Sequence, residues 1–310
     1  MRRTNYGFRR VEMLNANIAV IEINRFEELA YSQSAAGAAL AFAASADAVI
    51  FDVRSNPGGV SDILNFVVSH FIPAGTELMA TFDRETGKTL RARTRRVPGK
   101  RMAVPLFVVI GPGTASAAEA FAFTLQQTGR ATIVGERSQG AAQGGGWVPA
   151  GGGFIVFIPS FRPFNPRTGK SWQGTGVLPD VAAPNDRALA VAHLRAVQAL
   201  EAKAPRADYR WLLPILELQA GTPAAIDVDG LAGRYQGIEI SLAGGALKFL
   251  GASGILRDLT PLPDGTFLIE DAEVPPHLRA RVRFIRDASA AVTRLELLTD
   301  SGRVLPRPRL

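Results

Sequence analysis

Apolar residues in this chain follow two rhythms. Short, nearly unbroken runs at Ile18-Ala-Val-Ile-Glu-Ile-Asn24, Ala48-Val-Ile-Phe-Asp-Val-Arg54, Val104-Pro-Leu-Phe-Val-Val-Ile110 and Ala131-Thr-Ile-Val134 read as buried strands. Between them the spacing changes to i, i+3, i+4, i+7. It does so in the alanine-rich stretch 27–46, in a segment carrying Ile63, Phe66, Val67 and His70, and at Ala118, Phe121, Ala122 and Leu125. Strands alternating with helices predict an α/β core with parallel pairing. Leu78–Arg95, turning at Glu85-Thr-Gly-Lys88, reads as a β-hairpin. Gly140–Gly153 reads as a flexible glycine-rich loop before a strand at Phe154-Ile-Val-Phe-Ile158. Asp186–Ala202 has helical spacing, with His193 on its apolar face.

Past residue 202 the pattern changes. Residues 203–225 hold Pro205, Pro214, Gly221 and Pro223, as a connector with a short helix would. From Leu231 the chain breaks into short strands with Gly and Pro-Asp-Gly turns, the pattern of a small β-rich module. The expected organisation is an α/β domain over 1–202, a connector over 203–225 and a β-rich domain over 226–310.

Composition narrows the classes. Of 310 residues 47% are apolar and 20% charged, as in a globular protein, and no apolar run approaches a membrane span. With no cysteine, disulfides, thiolate metal sites and a cysteine nucleophile are excluded. The sequence has no His-Glu-x-x-His, no Walker loop and no dinucleotide glycine fingerprint, so no cofactor or metal is expected. No apolar signal-peptide core follows the basic start MRRTNYGFRR. The net charge of +7 lies wholly before residue 225. Part of it is one cluster, Arg84, Lys88, Arg91, Arg93, Arg95, Arg96, Lys100 and Arg101. Alternation through Arg91, Arg93 and Arg95 reads as a solvated strand face, with an anionic docking surface as the other reading. Without interleaved aromatics no nucleic-acid partner is expected.

The chemistry concentrates at Gly111-Pro-Gly-Thr-Ala-Ser116, a tight turn between a buried strand and a helix. A serine there meets unpaired N–H groups and the positive end of a helix dipole, which suits an alkoxide nucleophile. It also suits an ordinary cap, because Ser116-Ala-Ala-Glu119 matches a capping box. The residues alone leave both roles open.

Six segments in order resemble one family: Asn5-Tyr-Gly-Phe8, Asp52-Val-Arg-Ser-Asn-Pro-Gly-Gly59, Thr114-Ala-Ser-Ala-Ala-Glu119, Gly129-Arg-Ala-Thr-Ile-Val-Gly-Glu136, Asn165-Pro-Arg-Thr-Gly169 and Trp172-Gln-Gly-Thr-Gly-Val-Leu-Pro-Asp180. They look like the tail-specific, or C-terminal processing, serine peptidases, in the branch resembling interphotoreceptor retinoid-binding protein. The resemblance implies a crotonase- and Clp-like ββα-superhelix core, with Ser116 as nucleophile. It also implies an oxyanion hole from the N–H of Ala117 and of Gly58 or Gly59, and a periplasmic or secreted location. An appended small β-domain fits the C-terminal module.

The base is where the chain departs from that pattern. Ala141 stands where the family's lysine belongs, Gln143 where the retinoid-binding-like branch shows histidine, and Gln173 where that branch shows glutamate. A glutamine takes no proton at neutral pH. His70 and Lys170 are the auxiliary candidates. His193, His277, Glu119 and Glu136 read as structural, Glu119 as a helix-capping acid. Two functions follow: a serine hydrolase of unstructured peptides or protein tails, or a non-catalytic relative binding an extended peptide or a small apolar ligand.

Overall fold

The computed structural model describes residues 2–98, 102–224 and 227–310, so Lys100 and Arg101 of the basic cluster lie outside the described residues. Two compact units divide the chain, Met1–Leu200 and Glu201–Leu310.

The first unit runs β1 (Phe8–Leu14), β2 (Ile18–Ile23), α1 (Leu29–Phe42), β3 (Ala48–Asp52), α2 (Ser61–Ser69), β4 (Glu77–Asp83), β5 (Thr89–Arg93), β6 (Leu106–Ile110), α3 (Ala117–Gln127), β7 (Thr132–Gly135), β8 (Gly144–Gly151), β9 (Phe154–Phe164), β10 (Val181–Ala182) and α4 (Ala188–Lys203), which crosses into the second unit. One sheet has the order β1-β2-β3-β6-β7-β10, parallel throughout except for β1. Every residue of β3 and β6 is buried, as their unbroken apolar runs require of central parallel strands. Phe51 of β3 packs edge-on against Phe71 and Phe121 at 5.6 and 5.2 Å between ring centroids. A second sheet, β5-β4-β9-β8, is wholly antiparallel.

Two local outcomes differ from the sequence reading. The stretch read as a flexible glycine-rich loop contains β8, paired with β9 from Gly144↔Phe161 to Gly151↔Phe154. Its glycines serve close approach rather than flexibility: a methyl group on Gly145 would lie 2.0 Å from the Ile158 carbonyl oxygen. Helix α3 is buried on every side from Ala117 to Leu125, not only along its predicted stripe.

The second unit holds α5 (Ala207–Gln219) and β11 (Gly233–Tyr235), β12 (Ile238–Ala243), β13 (Ala246–Leu250), β14 (Leu256–Pro261), β15 (Phe267–Ile269), β16 (Arg281–Arg286), β17 (Val292–Leu298) and β18 (Val304–Pro308). The eight strands form an antiparallel meander in sequence order. A Tyr235↔Arg309 bridge brings its ends together, so the sheet is nearly a barrel. Helix α5, in the stretch read as a connector, packs on this sheet. The Arg281 guanidinium lies 4.0 Å from the Trp211 ring centroid, and Ile215 clusters with Leu262 and Leu268. Burial lowers the Arg281 pKa to about 10, against the pull of Asp264, so it stays charged at neutral pH.

His193 of α4 is buried, and its Nε2 donates to the Asn15 carbonyl at 3.0 Å. Burial pushes its pKa below the ordinary 6.5, opposed by that hydrogen bond. The folded state therefore takes up this proton less readily than the unfolded chain. The stability that the neutral ring supplies is complete above pH 6.5 and is lost as pH falls through the depressed folded value. Thermal unfolding measured against pH should show the midpoint falling below about pH 6.5, and His193→Gln should flatten that fall.

Candidate active site

Loops following three neighbouring parallel strands build the site: 53–60 after β3, 111–116 after β6 and 136–143 after β7. In open α/β sheets the carboxyl ends of adjacent strands form the natural crevice. Buried polar side chains fasten these loops. Thr114 Oγ1 donates to the Val53 carbonyl at 2.8 Å and accepts from Gly111 N–H at 3.0 Å. Asn56, fully buried, donates to the Ile23 carbonyl and accepts from Gly58 N–H at 2.8 Å. Ala115 N–H donates to the Asn56 carbonyl, joining the first two loops directly.

Ser116 caps α3 with φ 50° and ψ −116°, a conformation that a residue with a side chain rarely adopts. Strain of this kind costs about 1–3 kcal/mol and persists only where the surroundings over-determine it. Here two contacts do so. Gly58 lies against the serine, where a methyl group would come 2.7 Å from Ser116 Cβ and 2.9 Å from the Ala115 carbonyl. Glu119, fully buried, accepts from Ser116 N–H at 2.9 Å.

That glutamate does more than cap the helix. Its two oxygens also accept from Ser138 Oγ at 2.6 Å, Gly140 N–H at 2.6 Å and Ala141 N–H at 2.8 Å. One carboxylate thus ties the serine turn to the loop after β7. Sequence reading missed this second half because the partners lie 19 to 22 residues away and three of the four donors are backbone groups.

Ser116 opens onto a cavity of about 250 Å³, walled by Leu64, Met79, Ala120, Ala142, Phe161 and Trp172. Two buried polar atoms of its lining residues, Thr124 Oγ1 and Trp172 Nε1, have no partner among the described residues. Gly59 and Ala117 border the same cavity, and neither backbone N–H donates to an acceptor among the described residues. The Gly58 N–H, by contrast, is held by Asn56.

The auxiliary candidates lie elsewhere. His70 caps the end of α2, where its Nδ1 donates to the Phe66 carbonyl at 3.0 Å, and it lines a different cavity with Gln33, Leu40 and Met102. Lys170 is exposed and absent from the Ser116 cavity wall. Gln143 is exposed, and Gln173 Oε1 accepts from the N–H groups of Ala142 and Gln143 at 2.8 and 2.9 Å. The structure therefore brings residues 143 and 173 together, but as a backbone clamp. Among the described residues no side chain accepts a hydrogen bond from Ser116 Oγ.

A strained serine at a strand–helix turn thus faces a crevice edged by backbone donors that have no partner among the described residues. The model of peptidase family S41 matches residues 17–183, and the chain belongs to that family. A carboxy-terminal-processing protease of Bartonella bacilliformis is 32% identical over 134 residues, 43% of this chain and 30% of that protein. A carboxyl-terminal-processing protease of Synechocystis is 30% identical over 124 residues, 40% of this chain and 28% of that protein. The chain thus matches less than a third of the length of these two relatives. A Bacteroides fragilis structure classed with the S41 proteases shares the fold, with a TM-score of 0.50 over 58% of this chain and 51% of that one at 18% identity. These relatives do not single out the retinoid-binding-like branch.

Removing the buried carboxylate strands four donors. Glu119→Ala should lower unfolding stability by about 3 kcal/mol or more in denaturant melts. Glu119→Gln should also destabilise, because its amide NH₂ would face N–H donors.

Proposed function

We propose that the chain is a serine peptidase-like hydrolase acting on extended peptides or unstructured protein tails, with Ser116 as nucleophile. The observation that carries this reading is the strained Ser116 beside the N–H groups of Ala117 and Gly59, which have no partner among the described residues. Ser116 Oγ bonds to the substrate carbonyl carbon, and the carbonyl oxygen takes up the negative charge. Ala117 N–H, at the positive end of α3, and Gly59 N–H receive that oxyanion; a donor of this kind is typically worth about 2.7–4 kcal/mol of transition-state stabilisation. The C–N bond then breaks, the amine leaves with a proton, and water hydrolyses the acyl-enzyme. A substrate side chain fits the largely apolar cavity behind the serine, while the extended backbone pairs along the crevice by strand addition.

Among the described residues no side-chain base is hydrogen-bonded to the serine, so in this reading its proton passes to water and turnover is slow. The oxyanion hole and substrate binding alone sustain some 10³–10⁴-fold over water in serine peptidases stripped of their triad. A second reading has its own support. Gln173, uncharged, closes its loop on two backbone N–H groups in place of an acid that orients a base. In that reading the crevice holds an extended peptide or a small apolar ligand without cleaving it.

A fluorophosphonate probe should label the native chain at Ser116, and Ser116→Ala should abolish both labelling and hydrolysis of an unstructured peptide. A folded chain that stays unlabelled and leaves the peptide uncleaved would favour the binding reading instead. In the hydrolase reading, the paired change Gln143→His with Gln173→Glu supplies a proton acceptor and its orienting acid. It should then raise peptide turnover by about 10²-fold or more.

A further inference from the structure

Strand β9 pairs with β4 only from Phe161 to Phe164, yet it runs back to Phe154. Between Phe154 and Pro159 its ladder partner among the described residues is β8 alone. The two therefore extend past the sheet as a two-stranded ribbon about 20 Å long at ~3.3 Å per residue. An isolated hairpin of this kind is marginal in water. This one is also apolar on both faces. Successive residues from Phe154 to Ile158 alternate sides, and all are exposed, Phe154 at 75% and Ile155 at 63%. Trp147, 67% exposed, packs on Phe157 across the ribbon at 5.3 Å between ring centroids. From Ser138 to Phe161 the sequence carries no charged residue and no histidine.

The root of the ribbon is the opposite in character. Residues 77–96 with Arg162, the pairing partner of Phe82, hold seven basic side chains and three acidic ones, Glu77, Asp83 and Glu85. Glu77 is occupied by Arg91 and Arg93. Pairing with a second copy would bring two such positive roots together. An anionic lipid surface matches the arrangement: the uncharged ribbon enters the headgroup boundary, Trp147 sits at the interface, and the arginines meet the headgroups. We propose that the β8–β9 ribbon is a peripheral membrane anchor for anionic bilayers. It lies on the membrane and does not span it; among the described residues no helix is long and apolar enough to cross one.

The test is co-sedimentation of the full chain with vesicles of phosphatidylcholine alone or with about one-third phosphatidylglycerol. Binding to the anionic vesicles that weakens at least tenfold between low and moderate salt is expected. So is at least tenfold weaker binding by Phe154→Ser with Ile155→Ser at an unchanged melting temperature. In the wild type, brominated lipids should quench tryptophan emission and Trp147→Phe should remove that quenching, because Trp147 is exposed while Trp172 is buried and Trp211 is half-buried beneath Arg281. The proposal is overturned if folded wild type ignores the anionic vesicles, if the double variant binds as well as wild type, or if emission is unquenched. It is equally overturned if the ribbon instead holds a concentration-dependent dimer in sedimentation that the double variant dissolves.

Discussion

The Glu119 carboxylate is the contact on which the site depends. It accepts four hydrogen bonds inside a fully buried environment, from two loops that follow different strands. Charge-assisted bonds of this kind are the strong ones, and their cost when broken grows with burial. The serine turn is strained, and strain of a few kcal/mol relaxes unless both ends of the turn are held. Glu119 holds the helix side, while Thr114 and Asn56 hold the strand side through Val53, Gly111 and Gly58.

This arrangement follows from the sheet. Parallel neighbours β3, β6 and β7 deliver their following loops to one end, so a glycine turn, a serine turn and a clamping loop converge without direct sequence proximity. Burial of α3 on all sides then fixes the helix start to within the tolerance that backbone donors require. In the proposed hydrolase reading, positioning and electrostatic stabilisation are thus built into the fold, whereas among the described residues no side chain is placed to take the serine proton. Glutamines at 143 and 173 keep the backbone contacts of the neighbouring loop without a group that titrates near neutrality. A peptidase framework and its chemistry are separable in this way, because the framework rests on burial and the chemistry on one or two side chains.

The antiparallel sheet carries a different kind of information. Its root lines the serine cavity through Phe161 and Gly144, while its far end exposes apolar side chains on both faces. Core packing does not explain that end, so the residues from Trp147 to Ile158 answer to a surface outside the unit.

Much of the fold was legible in the chain. Apolar runs at 18–24, 48–54 and 104–110, and helical spacing from Ala118 to Leu125, specified the elements, because a strand buried on both faces reads as an unbroken apolar run and a packed helix repeats its apolar face every 3.6 residues. The place of Ser116 at the turn between a buried strand and a helix was legible as well, since such a turn leaves unpaired N–H groups wherever it occurs. The limits were equally physical. Strand β8 is hidden because glycine carries no hydrophobic signal, and its pairing depends on the Ile158 backbone rather than on side chains. The double duty of Glu119 is a tertiary fact, set by hydrogen bonds to residues 19 to 22 positions away, where local periodicity has no reach. The Gly58 N–H is taken by Asn56 two residues before it and His70 is held by Phe66 one helical turn back, polar contacts that apolar spacing does not encode.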